Sequence, residues 1–390
     1  MRELYMKQVV VNTSTYSSDE FGVCSALYEL GGMVVMHDAS GCNSTYTTHD
    51  EPRWYDMDSM IYISAISEME AIMGDDDKLI RDLIETAEEL KPKFIAIVGA
   101  PIPYMTGTDF KAIANIVEEK TNLFSFGFQT NGMEYYTKGI SMALKELADR
   151  FCVESVPKPT DRIRVNVLGA TPLDFGVNGT VEAIKSWLNG RGLEAGCCFA
   201  MGSTLDEIFL ASSAHVNLVI SYGGLAAAKL LEERFGIPYV VGVPYGNVFS
   251  KLLENSIYQA SLMNRSAVSY AAAKISYGAE NKKQVALIGE SVTGASLASA
   301  IELEYPDLNC KVLCPVDTES LLLRFGDIRT PEEDDVALAL KSADIVIADP
   351  LYQMLCPEKE FIALPHMAFS GRIYEKEIPV LIGDLDPLKL

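Results

Sequence analysis

The sequence lacks the short motifs that identify several common enzyme classes. Its four histidines form no HExxH pair, and no GxSxG serine elbow is present, which argues against the usual zinc peptidases and α/β-hydrolases. No lysine follows a glycine-rich loop as in a P-loop, and the candidate dinucleotide turn GESVTG at 289–294 lacks the middle glycine. Hydrolase, P-loop NTPase and NAD-binding functions are therefore not predicted.

Long hydrophobic runs and basic stretches are also missing. No apolar run is long enough to cross a bilayer, and the beginning, MRELYMKQVVVNTS, lacks the apolar core and cleavage site of a signal peptide. With 54 acidic and 32 basic residues the formal charge is −22, and such a surface repels nucleic-acid phosphates. We therefore expect a cytoplasmic protein that binds neither membranes nor nucleic acids.

Eight cysteines are present, but none of them forms a CxxC pair. In a reducing cytosol they remain thiols. Cys310 and Cys314, the close pair with intervening residues, lie in CKVLCPV, which is typical of a strand. Because a spacing of four places both thiols on one face, this pair is predicted to pack in a core rather than to bind metal.

Apolar strands alternate with amphipathic helices along most of the chain. The segment 75–91 has apolar residues at helical spacing, the apolar run FIAIVGA follows at 94–100, and a long helix is predicted over 248–277. This alternation predicts an α/β protein with parallel sheets flanked by helices, and 390 residues are too many for one core. We predict three Rossmann-like domains with a cleft between them, at 1–157, 158–279 and 280–390.

The loops that follow strands are the candidate functional segments, because ligands of parallel sheets bind beyond the carboxyl ends of the strands. In chain order these loops are HDASGC, GAPIPYMTG, ISYGG and ALPHMAFSG. Between them come YISAISEMEAIMGDDDKL, GSTLDEIFLASSAHVNLVISYGG and LEERFGIPY. Over about residues 17–372, this ordered set resembles the component 1 proteins of nitrogenase and of the light-independent protochlorophyllide and chlorophyllide reductases.

The resemblance implies a [4Fe-4S] cluster shared between subunits, with Cys42 of the Gly41–Cys42 loop as a ligand. The family's other cysteines would fall at Ser17 and Pro101, which carry no thiol, so Ser17 is a candidate oxygen ligand. Three cysteines from this chain therefore cannot hold a conventional cluster. Two alternatives stay open: another subunit supplies the remaining ligands, or Cys42 is a buried thiol in a loop that binds no metal.

The resemblance also implies a second site, in the cleft. Nitrogenase holds its large cofactor with a cysteine and a histidine, and the matching positions here are Ser221, followed by Tyr222, and His366. Because serine is a weak iron ligand, nitrogenase activity itself is not expected. Imidazole can ligate a metal or donate a proton, so His366 is a candidate catalytic residue; the alternative is a loop histidine bonded to the backbone. The predicted cofactor-binding residues are Gly41, Ser221, Tyr222 and His366.

The function that follows from this resemblance is that of a subunit of a nitrogenase-like oxidoreductase. Such a subunit receives electrons from an ATP-dependent iron protein and works as a homodimer or with a second component 1 chain in a heterotetramer. The alternative is a non-catalytic scaffold that binds a metallocofactor or a tetrapyrrole in the cleft.

Overall fold

The computed structural model of the chain describes residues 10–41, 43–46, 50–152, 154–159, 161–272, 282–372 and 378–390. Three sheets with helices on their faces make up these residues, and every strand pair within the sheets is parallel. This confirms the predicted fold class. We call each sheet with its helices a lobe; the three lobes follow one another along the chain.

The first lobe has the strand order β2-β1-β3-β4. Its strands are β1 (Met33–His37), β2 (Met60–Ile63), β3 (Ile95–Gly99) and β4 (Ser125–Phe128). Its helices are α1 (Asp19–Leu27), α2 (Asn43–Thr45), α3 (Glu68–Met73), α4 (Asp76–Leu90), α5 (Pro101–Thr106), α6 (Phe110–Thr121) and α7 (Tyr136–Phe151).

The second lobe has the order β6-β5-β7-β8-β9, and the third has the order β12-β11-β10-β13-β14. The second lobe contains β5 (Arg164–Ala170), β6 (Glu194–Ala200), β7 (Val216–Val219), β8 (Tyr239–Val241), β9 (Ala267–Val268), α8 (Pro172–Phe175), α9 (Thr180–Asn189), α10 (Leu205–Phe209), α11 (Tyr222–Phe235) and α12 (Asn247–Met263). The third contains β10 (Lys283–Ile288), β11 (Leu308–Cys314), β12 (Ile328–Arg329), β13 (Ile345–Ala348), β14 (Glu360–Ala363), α13 (Ser291–Glu304) and α14 (Glu333–Leu340).

Local sequence explains where the predicted helices begin and end. The side chain of Asp75 accepts a hydrogen bond from the Lys78 amide and caps α4, which buries Leu79 and Leu83. The long helix predicted over 248–277 is wrong over residues 264–272, and its last residues, 273–277, lie outside the described residues. Helix α12 stops at Met263 because Asn264 takes the left-handed conformation, which ends helices, and a short strand follows.

One hydrophobic core connects the three lobes. It contains buried residues from every sheet, for example Val34 of β1, Val167 of β5 and Leu287 of β10. Smaller clusters cover the outer faces of the first and third sheets. The lobes therefore share packed apolar surface, which fixes the loops at their junction; the exact domain boundaries stay predictions. In the described ranges, no helix is both long and apolar enough to cross a membrane.

Helix α7 lies where the lobes join, and glycines let its backbone come close to the neighbouring helices. A Cβ added at Gly139 would lie 1.8 Å from the Asp19 carbonyl oxygen of α1, and one at Gly22 would lie 2.0 Å from the Tyr136 carbonyl oxygen. On its other side α7 contacts α11, where a Cβ at Gly223 would lie 2.3 Å from Ile140 Cγ2. The two helix contacts therefore need glycine.

The substitution Gly139→Ala is expected to destabilise the chain by about 1–3 kcal/mol or more, since the added methyl meets backbone that cannot rotate away. Urea unfolding followed by circular dichroism measures this loss. Gly289→Ala is the control, because a Cβ there meets its nearest neighbour, Leu287 Cδ2, at 3.9 Å. Equal unfolding midpoints for the two variants would contradict the packing described for α1 and α7.

Candidate functional site

Three side chains, one from each lobe, meet where the lobes join. Asp174 of α8 accepts a hydrogen bond from the hydroxyl of Tyr136, at the start of α7, at 2.6 Å from Oδ1. His366, in the loop after β14, places Nε2 3.2 Å from the same oxygen and 3.2 Å from the Tyr136 hydroxyl. The side chain of Asp174 is 1% exposed and that of His366 is 13% exposed. This triad of Tyr136, Asp174 and His366 therefore joins all three lobes through polar contacts.

The loop that carries His366 is held in place by a buried acid. The His366 backbone amide donates to Asp349 Oδ2 at 2.8 Å, and Asp349 Oδ1 accepts from Arg372 Nη2 at 2.5 Å. Asp349 directly follows β13 and also accepts from the Leu351 amide. The imidazole is therefore positioned from the carboxyl end of the third sheet, where parallel sheets bind ligands.

Aromatic rings surround the imidazole. The Tyr16 ring lies 5.4 Å from the His366 ring and stacks on Phe369 at 4.3 Å between centroids. Tyr136 lies 6.0 Å from His366 in an edge-on arrangement. These contacts limit the rotation of the imidazole and shield the hydrogen bonds of the triad from water, which strengthens them.

A small cavity opens beside the triad. It has a volume of about 70 Å³ and is lined from the second and third lobes by Asp174, Phe175, Thr180, Tyr245, Gly289, Glu290, Thr293, Leu364, Pro365, His366, Ile378 and neighbouring residues. Such a volume admits several water molecules or a small ligand. The buried Oδ2 of Asp174 has no hydrogen-bond partner among the described residues, and buried carboxylate oxygens are normally satisfied. A donor or cation from outside the chain would satisfy it.

The side chain of Glu290 is a second carboxylate in the lining of this cavity. It is 1% exposed and caps α13 by accepting from the Val292 and Thr293 amides at 3.0 Å, and Oε1 also accepts from the Tyr222 amide at 2.9 Å. Burial raises the pKa of Glu290, and the neighbouring Asp174 raises it further. Because the lining contains no lysine or arginine among the described residues, the cavity favours a cation or a proton donor.

Two predicted residues of the second lobe have structural contacts in this arrangement. The hydroxyl of Ser221 is fully buried and donates to the Gly169 carbonyl oxygen at 2.8 Å. Tyr222 contributes its amide to Glu290, while its half-buried side chain lies outside the cavity lining. His366 does line the cavity. The functional roles of all three stay predictions.

The predicted metal loop of the first lobe is described only in part. Cys42 lies outside the described residues. Gly41 is exposed and its carbonyl accepts from the Ser44 amide. The Ser17 amide donates to the Ala368 carbonyl at 2.7 Å, which ties the first lobe to the third.

The described cysteines do not fit an Fe–S cluster. All seven are buried and unbonded to one another, and burial raises the pKa of each thiol, for Cys152 and Cys198 to about 12. Cluster binding needs thiolates. No group of three His, Cys, Asp or Glu side chains in the described part of the chain could hold a metal ion. The core position predicted for Cys310 and Cys314 is confirmed.

Asp174 and Glu290 were not identified from the sequence. Both follow a strand, in ATPLDF after β5 and in GES after β10, so the rule that pointed to the other loops applies to them too. The missing information was which of the chain's 54 acidic residues meet in space.

Three parallel sheets around a shared junction with a small cavity define the class of this protein as a multi-lobed α/β binding protein or enzyme. The family is shown by its sequence model: residues 20–301 match the family described as nitrogenase component 1 type oxidoreductase. The chain belongs to this family. The sequence-based family prediction is thereby confirmed.

Individual relatives are similar to the chain over only part of its length. The chain is 27% identical to the nitrogenase iron-molybdenum cofactor biosynthesis protein NifE of Clostridium pasteurianum over 46% of its own length and 39% of that protein. It is 31% identical to one of the subunits of the light-independent protochlorophyllide reductase of Prosthecochloris aestuarii over 26% of its length and 19% of that protein. The chain thus matches less than half the length of these relatives.

A solved structure entitled "Nitrogenase Cp1 at pH 6.5" superimposes with a TM-score of 0.69 and 15% identity, covering 100% of this chain and 94% of the other. At this identity the likeness concerns the fold.

The substitution Tyr136→Phe tests the triad. It removes a 2.6 Å hydrogen bond to a buried carboxylate and leaves Asp174 with one donor, so we expect a loss of about 1.5–3 kcal/mol in urea unfolding. Tyr258→Phe is the control, because that hydroxyl donates to the uncharged Arg191 carbonyl at 2.9 Å and should cost about 1 kcal/mol. An equal or larger loss in the control would argue against a charged triad.

The raised pKa of Glu290 predicts a pH dependence of stability. An acid whose pKa is higher in the folded state stabilises the fold fully below its ordinary value of 4.5, and this contribution is lost as pH rises towards the folded-state pKa. The melting temperature of Glu290→Gln minus that of the unaltered chain should therefore increase as pH rises above about 4.5. A difference that stays flat with pH for Glu290→Gln would contradict the burial effect.

Proposed function

We propose that the chain is a subunit of a nitrogenase-like complex that binds a small cationic or metal-bearing ligand at the three-lobe junction. The observation that supports this proposal most directly is the buried Oδ2 of Asp174, which no described residue contacts by a hydrogen bond and which lies beside His366 and Glu290 in one cavity. In this role the chain is a binding or scaffold subunit rather than the carrier of its own Fe–S cluster.

Each junction residue has a chemical role in this proposal. The Asp174 carboxylate and Glu290 attract positive charge, since two neighbouring buried acids with no lysine or arginine in the cavity lining are costly until a cation or proton joins them. His366 Nε2 lies within hydrogen-bond distance of both Asp174 and Tyr136, so it can accept or return a proton there. A ligand of the size of a tetrapyrrole is not favoured, because the cavity of about 70 Å³ lies well below the roughly 300–1,000 Å³ of ordinary ligand pockets.

The second candidate function is the electron-transferring subunit of a reductase. It is favoured by an exposed apolar surface at the carboxyl edge of the first sheet, where α3 and α5 contact each other. This surface is formed by Met69, Ile72, Met73, Tyr104 and Met105. Apolar patches of this kind mark protein contacts. A second component 1 chain that docked here would supply most cluster thiolates, with Cys42 contributing one, and an ATP-dependent iron protein would supply electrons.

Anaerobic purification separates the two functions. The chain is produced alone, and iron and acid-labile sulfide are measured with and without Cys42→Ala. The binding function predicts less than one iron per chain and no effect of Cys42→Ala. About two to four irons per dimer that depend on Cys42 would instead establish the reductase function.

The junction itself is tested by Co²⁺ titration of the metal-free chain, followed by visible absorption. Asp174→Asn and His366→Gln are each expected to weaken Co²⁺ binding at least tenfold, because each removes a charged or nitrogen donor from the cavity. His215→Gln is the matched control: His215 Nδ1 accepts from the Arg164 amide, away from the cavity. Unchanged Co²⁺ affinity in both junction variants would refute ligand binding at this site.

A further inference from the structure

The carboxyl edge of the first sheet contains two acids with unsatisfied oxygens. Glu20 Oε2 and Asp38 Oδ1 are both buried and have no hydrogen-bond partner in the part of the chain that the structure describes. Glu20 lies in the first turn of α1 and is 6% exposed, while Asp38 directly follows β1. Unsatisfied carboxylate oxygens are uncommon in folded proteins, and each requires an explanation.

The Glu20 side chain points towards the end of β3. A Cβ built at Gly132 would lie 3.3 Å from Glu20 Oε2 and 2.8 Å from Pro101 Cδ, so the carboxylate and the proline ring lie against the same glycine. Pro101 begins α5, two residues after the end of β3. Glu20 therefore reaches the position at which the related proteins would have a cysteine.

Asp38 lies close to this place, directly after the strand that pairs with β3. In the sheet register, His37 of β1 pairs with Gly99 of β3, which puts Asp38 beside the residue before Pro101. Paired strands lie about 4.8 Å apart. One Asp38 oxygen accepts from Asn43 Nδ2 at 3.0 Å, and the other is the unsatisfied Oδ1.

A third acid supports this arrangement without taking part in it. Asp19 is already satisfied, since it accepts from the amides of Asn131, Gly132 and Glu20. Its charge nevertheless lies close to Glu20. Burial, together with the charges of Asp19 and Asp38, raises the pKa of Glu20 to about 8. A bound cation would offset both the burial and the repulsion.

The donor atoms determine which cation fits. Carboxylate oxygens suit hard cations such as Mg²⁺ and Mn²⁺, whereas Fe–S clusters need soft thiolates. Mg²⁺ keeps several waters and often binds through only one or two carboxylates. The described residues contain no group of three or more possible metal ligands. Binding through two carboxylates and several waters does not require such a group.

We infer that the carboxyl edge of the first sheet binds a hydrated Mg²⁺ or Mn²⁺ ion through Glu20 and Asp38, where related proteins are expected to hold a cluster. Oxygen ligands then replace sulfur ligands at this position, and the site does not need Cys42. The observations behind this inference do not include the ligand proposed for the three-lobe junction.

Mn²⁺ binding to the full, EDTA-treated chain tests the inference, with free Mn²⁺ measured by electron paramagnetic resonance and Mg²⁺ as competitor. We expect Glu20→Gln and Asp38→Asn each to weaken Mn²⁺ binding at least tenfold, and Mg²⁺ to compete in the unaltered chain. Glu119→Gln, at an exposed position of α6, should leave the affinity unchanged.

A second measurement covers the case in which Glu20→Gln folds poorly. Saturating Mg²⁺ should raise the melting temperature of the unaltered chain, because a ligand that binds only the folded state stabilises it, and Asp38→Asn should abolish this rise. Mn²⁺ affinity that is the same in the unaltered chain and in Asp38→Asn would overturn the inference. Iron and sulfide that bind to the chain alone and depend on Cys42 would overturn it too.

Discussion

Asp174 is a buried carboxylate whose hydrogen-bond donors come from two other lobes, and this arrangement holds the centre of the molecule together. Tyr136 approaches it from the first lobe and His366 from the third. A buried charge is stable only while its partners stay in place. The relative position of the lobes and the electrostatics of the junction therefore depend on each other, so a change in either alters the other.

Acids with unsatisfied oxygens are also found at the carboxyl edge of the first sheet. Glu20 and Asp38 are acids with unsatisfied oxygens, as Asp174 is at the junction, and the formal charge of −22 offers them little help from the surroundings. The described thiols, in contrast, are buried in cores where burial keeps them protonated. Oxygen and imidazole, rather than sulfur, are the donors that the described residues make available to ligands.

The fold was predictable because it depends on local patterns. Alternating strands and helices, and the apolar spacing of Leu79 and Leu83, are visible in the sequence and are realised in the structure. The end of α12 was missed because a single left-handed Asn264 outweighs helical periodicity on both sides. His366 was found through the order of strand-end loops in a family, which local physics alone does not provide.

The acids at both sites could not be predicted in the same way. Asp174 and Glu290 follow strands of different lobes, and their meeting depends on how the second lobe packs against the third, where α12 contacts α13. Glu20 looks like a favourable first-turn residue of a helix, and only the position of Gly132 and Pro101 shows where its side chain points. Tertiary packing decides these contacts, and sequence periodicity carries little information about it.

The segment from Tyr16 to Glu20 connects the two proposed sites. Tyr16 packs on the ring of His366, the Ser17 amide and carbonyl bind Ala368 and the Tyr136 amide, and Glu20 reaches the sheet edge only three residues later. A segment fixed at both ends transmits a shift at one end to the other, because packed backbone deforms little. If an ion binds at Glu20 and Asp38, it should therefore alter ligand affinity at the junction, and the junction ligand must alter ion affinity by the same factor.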